Sequence, residues 1–258
     1  MALQRGPARI VDLVVGADGL HSTVRQLAFG PQDEFEKELG YRVASFEVAG
    51  YRPRDELVYV AHASPGRQLA RIALRGDRTV FLFVFRAGLM TASEPSNPAE
   101  TRAVLQDIFG DERWESAHIL SAMEGVQDIY FDRVSQIRMQ PWTRNRVVLI
   151  GDAACAVSLL AGEGTGLAMT EAYVLAGELN RANGDYRTAF DNYENRLRQF
   201  VEGKQAAAEN FASSFLPGTA VGIWMRNQAI RLMRLPRVAD VFMGGILRDD
   251  FDLPNYDL

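Results

Sequence analysis

The chain has 258 residues, with 28 Lys and Arg against 33 Asp and Glu, a formal net charge of −5. An acidic balance without a basic run argues against a nucleic-acid partner, and the single cysteine, Cys155, excludes an intrachain disulfide. Its 47% hydrophobic residues suffice for a sizeable core in one or two domains. Charges break every long apolar stretch, so neither a membrane span nor a secretory signal is read, and a cytoplasmic location is expected.

The first element is an apolar run, Leu13-Val14-Val15, closing in Gly16-Ala17-Asp18-Gly19. Ser22 is placed to cap a short helix carrying Val24, Arg25 and Leu27. From Glu38 to about Arg86 the period drops to two: Tyr41, Val43, Ser45 and Glu47 oppose Arg42, Ala44, Phe46 and Val48. Strands are predicted over Leu57 to Ala63, Leu69 to Arg75 and Thr79 to Phe85, the last two flanking Gly76-Asp77, a two-residue hairpin signal. Phe81, Phe83 and Phe85 alternate with Val80, Leu82 and Val84, so both faces of that strand are expected to be buried, one on a core and the other available as a pocket wall, with a packed core alone an equal reading of the phenylalanines. A helix follows over Ala99 to Phe109, then a strand over Ile129 to Met139. His21, His62 and His118 lack metal-ligand spacing, and no metal site is read.

The chain is organised around Arg146 to Leu179. Val147 to Ile150 is a short apolar run, the pattern of a strand buried on both faces. It stops at Gly151-Asp152, and a loop with glycines at 162, 164 and 166 precedes a helix whose predicted stripe is Leu167, Ala168, Ala172, Leu175, Ala176 and Leu179. Strand, glycine loop and helix together turn backbone N–H groups and the positive end of a helix toward an anion. An aspartate at a strand's carboxyl end, as Asp152 is, can accept hydrogen bonds from ribose or ribityl hydroxyls. Asn183-Gly184 is read as a left-handed cap and Asp185 as the start of another helix, striped by Phe190, Tyr193, Leu197, Phe200, Val201, Ala208 and Phe211. Pro217-Gly218 breaks it. Ile223 to Leu247 is apolar and arginine-bearing, read as a tail packed on the body or on another subunit in preference to a membrane-surface helix.

Asp12, Val15, Gly16, Ala17, Asp18, Gly19, Ser22, Val24 and Arg25 match the pattern D-x-x-V-G-A-D-G-x-x-S-x-V-R, and Gly151, Asp152, Ala153, Ala154, Gly162 and Gly164 match G-D-A-A-H-x-x-x-P-x-x-G-x-G. In this order and separation the pair resembles the later two motifs of the flavoprotein aromatic hydroxylases, the FAD-dependent, NAD(P)H-using monooxygenases that include para-hydroxybenzoate hydroxylase. The first motif of that family, G-x-G-x-x-G, is absent, so the resemblance implies an N-terminally truncated chain. The implied fold class is α/β with an α+β insert: residues 1–37 and 141–216 as the remainder of a Rossmann-like FAD-binding domain, 38–140 as an inserted substrate domain of sheet plus helix, and 217–258 as a C-terminal helical tail.

The cofactor-binding set implied is Asp18, Gly19, Arg25, Gly151, Asp152, Gly162, Gly164, Thr165 and Gly166. Asp18 falls near the FAD pyrophosphate. Arg25 has two readings, a phosphate partner or an ion pair with Asp12 or Asp18, the first preferred. The N–H groups around Gly164, Thr165 and Gly166 are expected at the flavin O2/N1 edge, where charge develops on reduction. The chemistry belongs to the cofactor, with NAD(P)H as reductant and O2 as co-substrate, so no catalytic side chain is assigned. The implied reaction hydroxylates an aromatic or polyketide-like small molecule. Two positions depart from the pattern: Cys155 stands where histidine is expected, and Leu159 where proline is. A halogenase or isoprenoid reductase of the same fold is the alternative, although no tryptophan-rich segment supports a halogenase. A non-catalytic, cofactor-free remnant, with exposed sheet edges that favour self-association, is the reading from a different class.

Overall fold

The computed structural model describes residues 7–51, 57–232 and 251–256. Its elements, in order, are β1 (Val14–Gly16), α1 (Thr23–Ala28), β2 (Glu36–Ala49), β3 (Tyr59–Ser64), β4 (Arg67–Leu74), β5 (Arg78–Arg86), α2 (Pro98–Phe109), α3 (Ser116–Ala122), β6 (Tyr130–Ile137), β7 (Thr143–Arg144), β8 (Val147–Leu149), α4 (Asp152–Cys155), α5 (Gly164–Arg181), α6 (Tyr186–Phe215) and α7 (Ala220–Leu232). This mixed α/β architecture divides into two compact units. One takes residues 1–37, 135–211 and 247–258; the other takes 38–134 and 212–246. The tail is therefore shared: α7 falls in the second unit and 251–256 in the first. The expected continuation of the α7 pattern toward Leu247 lies outside the described residues.

In the first unit β1 and β8 are parallel, with Val14 opposite Val147 and Gly16 opposite Leu149, and β7 pairs antiparallel to β8. The two apolar runs, more than 130 positions apart, thus become neighbouring strands. Gly16 is what lets α1 close on them, because a Cβ there would lie 2.5 Å from Leu149 Cδ2 and 2.9 Å from Val24 Cγ1. Val148, Leu149, Trp142, Leu167, Val174, Leu175, Phe190, Tyr193, Leu197 and Val201 form the core beneath the sheet.

The α5 stripe differs from the prediction. Ala172 and Ala176 are exposed, and Leu167, Glu171, Val174, Leu175 and Glu178 turn inward. Two carboxylates occupy places that periodicity reserves for apolar side chains, which is tolerable only because each is hydrogen-bonded. On α6 the predicted positions Phe190, Tyr193, Leu197, Val201 and Ala208 are buried, while Phe211 is exposed. Asp185 begins that helix, accepting from Arg187 N at 3.2 Å and Thr188 Oγ1 at 2.7 Å.

A short strap, residues 251–256, lies along α5 and α6. Tyr256 sits where a Cβ on Gly177 would be, its ring 2.2 Å from that position. Its hydroxyl donates to Glu178 Oε1 at 2.7 Å, Arg181 stacks over the ring at 4.3 Å, and Phe251 stacks on Phe200 at 5.0 Å.

The second unit is a five-stranded sheet in the order β3-β4-β5-β2-β6, antiparallel through β3, β4, β5 and β2. Strand pairs there follow the period-two reading. The hairpin loop is longer than expected: the last ladder pair is Leu74–Arg78, so Arg75, Gly76 and Asp77 all form the turn, the last two at φ 76° and 57°. Phe81, Phe83 and Phe85 pack with Leu69 against Val104, Leu105, Ile108 and Phe109 of α2 and Ile119 of α3. Phe83 meets Phe109 edge-on at 5.0 Å. The phenylalanine row is thus core. The α2 helix starts where its sequence dictates, with Asn97 Oδ1 accepting from Glu100 N and proline in the first turn.

Candidate functional site: the Gly-Asp turn and the start of helix α5

Two residues past strand β8 stands Gly151, whose φ of 62° and ψ of −147° belong to a region open essentially to glycine alone. A Cβ there would also press on Ala168 Cβ at 3.0 Å. That kink starts α4 and sets Asp152 at its first position. The Asp152 carboxylate makes no hydrogen bond or ion pair among the described residues. Solvent reaches it, yet the crowding of loop and helix is enough that burial pushes its pKa above the usual carboxylate value.

Opposite Asp152 lies the start of α5. Gly162 takes φ 70° to close the 3-10 turn over Leu159–Ala161, and α5 begins two residues later. A Cβ on Gly164 would lie 3.5 Å from Asp152 Oδ1, so the loop glycine and the carboxylate face one another. No side chain caps α5, and its first turn carries no acid. The N–H groups of Gly164, Thr165 and Gly166 are therefore left at the positive end of an 18-residue helix. Around a Cβ placed on Gly166 there is open space out to 4 Å. A cavity of about 350 Å³ adjoins, lined by Gly162, Glu163, Gly166, Leu167, Thr170, Phe200 and Lys204. Lys204 pairs with Glu163 at 3.1 Å.

Asp18 and Gly19 follow β1 as Asp152 follows β8, and the parallel register brings them to the same end of the sheet. Asp18 is nevertheless occupied. It accepts from Ser22 Oγ at 2.5 Å and Val24 N at 3.0 Å, while Ser22 Oγ caps α1 by accepting from Arg25 N at 2.9 Å. Burial works to raise the Asp18 pKa, but these hydrogen bonds outweigh it and hold the carboxyl below its ordinary value. Gly19, at φ 79°, makes the turn between them.

Arg25 is wholly buried. Its guanidinium donates to Ala153 O at 2.9 Å, Leu20 O at 2.6 Å and Gln32 Oε1 at 3.1 Å. Its terminal nitrogens are thus spent on the protein's own oxygens, and neither Asp12 nor Asp18 is hydrogen-bonded to it. In this structure Arg25 is a strut joining α1 to α4. Burial lowers its pKa, opposed by the charges of Asp18 and Glu36.

Sequence reading missed what lies behind the turn. Glu171, fully buried on α5, accepts from Gly151 N, from Cys155 Sγ at 3.0 Å and from Tyr193 Oη at 3.4 Å. The single Tyr193 hydroxyl proton is shared between Glu171 and the nearer Leu149 O at 3.1 Å. Cys155, the departure from the expected histidine, is a buried donor to this carboxylate. The available signal was Glu171 standing four residues after Leu167, on the inward face. Among the described residues no cluster of His, Cys, Asp and Glu can hold a metal, and no helix is long and apolar enough to cross a membrane.

Residues 10–207 match the model of the FAD binding domain family. The chain belongs to that family. It is 37% identical over 214 residues to an uncharacterized protein of Mycobacterium tuberculosis, covering 80% of this chain and 55% of the relative. It is 35% identical over 205 residues to a flavin-dependent monooxygenase of an unknown prokaryotic organism, covering 80% and 53%. Among solved structures, the tetracycline destructase Tet(51) superposes with a TM-score of 0.79 at 30% identity, over 97% of this chain and 65% of that one. The chain therefore spans about half the length of the curated relatives it matches. FAD is the cofactor of the family, and the residues present suit its flavin half: an uncapped helix start, two glycines leaving room for close approach, and a carboxylate acceptor between them.

Proposed function

We propose that this FAD-binding-family chain supplies the flavin-facing and substrate portions of an FAD-dependent monooxygenase that hydroxylates an aromatic or polyketide-like small molecule, with NAD(P)H as reductant. The observation that carries this reading is the unpartnered carboxylate of Asp152 facing the uncapped N-terminus of α5. The names of the flavin-dependent monooxygenase and tetracycline destructase relatives support the reaction class and the polycyclic kind of substrate.

When bound, the flavin supplies the electron transfer and oxygen chemistry. The chain supplies a fixed electrostatic setting. Backbone N–H groups of Gly164, Thr165 and Gly166 would stabilise negative charge at the pyrimidine edge of the ring, since the helix end is already oriented and needs no reorganisation. Asp152 would accept a ribityl hydroxyl. Asp18 and Arg25 act one layer back: Asp18 holds the Ser22 cap and the first turn of α1, and Arg25 holds the Ala153 carbonyl that follows Asp152. The sheet unit would orient the substrate.

The test is anaerobic reduction of the FAD-loaded protein by NADPH or NADH in the presence of candidate polycyclic phenols, followed by oxygen and mass analysis of the product. A gain of one oxygen atom supports the reading; flavin reduction with no oxygen insertion into any phenolic substrate would favour a reductase of the same fold.

A further inference from the structure

Glu171 is the most deeply buried acid behind the Gly-Asp turn, and nothing in the cofactor reading uses it. Its side chain rises from the second turn of α5 and collects two donors, the main-chain N–H of Gly151 just past β8 and the Cys155 thiol on α4, and it shares a third, the Tyr193 hydroxyl on α6, with Leu149 O. No strand takes the Gly151 N–H; the carboxylate does. Gly151 is also the residue whose φ of 62° turns the chain so that Asp152 faces Gly164.

We propose that Glu171 is a positioning residue for Asp152. It holds the Gly151–Asp152 peptide against α5, so that the carboxylate and the helix start keep one fixed spacing. Both parts of the flavin-facing surface then hang from the same helix, one through its first turn, the other through Glu171. The need at position 155 is for a buried donor to this carboxylate. A thiol meets it, which accounts for a cysteine standing where the resemblance expects histidine. Tyr193, which can reach both Glu171 and Leu149 O, closes the cage from α6. The position of Asp152 is read directly from the structure; that it serves a flavin rests on the function proposed above.

The experiment uses the whole 258-residue chain in four forms: unchanged, Glu171→Gln, Glu171→Leu and Cys155→Ser. Glutamine keeps an acceptor oxygen for Gly151 N–H, leucine keeps the approximate volume without an acceptor, and serine keeps a donor toward Glu171. Amide hydrogen exchange at residues 150–155 is compared with exchange at residues 197–201 of α6, buried in the same unit, alongside the melting temperature. We expect Glu171→Leu to speed exchange at 150–155 at least tenfold with 197–201 unchanged, and Glu171→Gln and Cys155→Ser to stay within threefold of the parent. A burial role alone would change the two regions together, or spare the leucine variant, whose apolar side chain suits a core. Unchanged exchange at 150–155 in Glu171→Leu, or loss in glutamine equal to that in leucine, would overturn the proposal. FAD titration by flavin fluorescence, with the same substitutions in a version of the protein that retains FAD, forms a separate arm. A loosened turn whose FAD affinity is the parent's would uphold the positioning of Asp152 and refute the cofactor role of the turn.

Discussion

Arg25 Nη1 donates to the carbonyl of Ala153 at 2.9 Å, across 128 positions of sequence. The two motifs are therefore mechanically one: the last residue of the first pattern holds the residue that follows Asp152 in the second. Arg25→Met should test this. It keeps the apolar stem but leaves the Ala153 and Leu20 carbonyls unpaired in a buried setting, with an expected loss of about 2 kcal/mol, partly offset by no longer burying a cation. Urea unfolding of the variant measures it. A variant as stable as the parent would mean that the strut contributes nothing.

The two aspartates at the sheet's edge should respond oppositely to pH. Asp18 has a depressed folded pKa, so its contribution is present above the unfolded value and is lost as pH falls through the lower, folded one. Asp152 has a raised folded pKa, so its ionised form carries a penalty at neutral pH that is relieved as pH falls through that value. Asp18→Asn should be less stable than the parent at pH 7, and Asp152→Asn equal or more stable. Both gaps should close in acid, that of Asp152→Asn at the higher pH. Denaturation midpoints at pH 7, 5 and 3 decide the matter, and the same sign for both variants would contradict the hydrogen bonding described.

In a version of the protein that retains FAD, Asp152→Ala should lower flavin affinity by about 1 kcal/mol, roughly fivefold, through loss of one hydroxyl acceptor. Gly164→Val should do more, because its branches would enter the space between the helix start and Asp152, where the Cβ alone lies 3.5 Å from Oδ1. Fluorescence titration gives both constants. Stoichiometric flavin in both purified variants would remove this loop from the cofactor site.

The 258-residue chain by itself should bind FAD weakly. Its sequence holds no G-x-G-x-x-G to receive a pyrophosphate, and among the described residues β1 forms an edge of its sheet with Val15 46% exposed. Flavin fluorescence with light scattering tests both points. A monomer that binds FAD tightly would show that the flavin-half contacts suffice.

Much of this was legible in sequence because it depends on local signals. Apolar runs ending in glycine located β1 and β8, Ser22 and Asp185 located helix starts, and period two located the sheet. What was hidden depends on tertiary partners. Glu171 and Glu178 had no place in the predicted apolar stripe because a lone carboxylate belongs in water, and only the folded chain brings Gly151, Cys155, Tyr193 and Tyr256 to satisfy them. Arg25 carried two readings for the same reason: the oxygens it meets in the fold, the Leu20 and Ala153 carbonyls and Gln32 Oε1, are not advertised by sequence. The hairpin at Gly76 was read one residue short because a Gly-Asp pair also suits a three-residue loop.

The contact between Gly177 and Tyr256 lies 13 residues along α5 from Gly164, or about 20 Å of rigid rod. A helix transmits axial displacement almost undiminished, so whatever sets its far end also sets where its first N–H groups stand. Enlarging Gly177 to alanine would force out a ring 2.2 Å from the new methyl, and the slack would be felt at the glycine loop although no atom near it had changed. Tyr256 of the strap therefore bears on the same helix whose other end is proposed to meet the flavin.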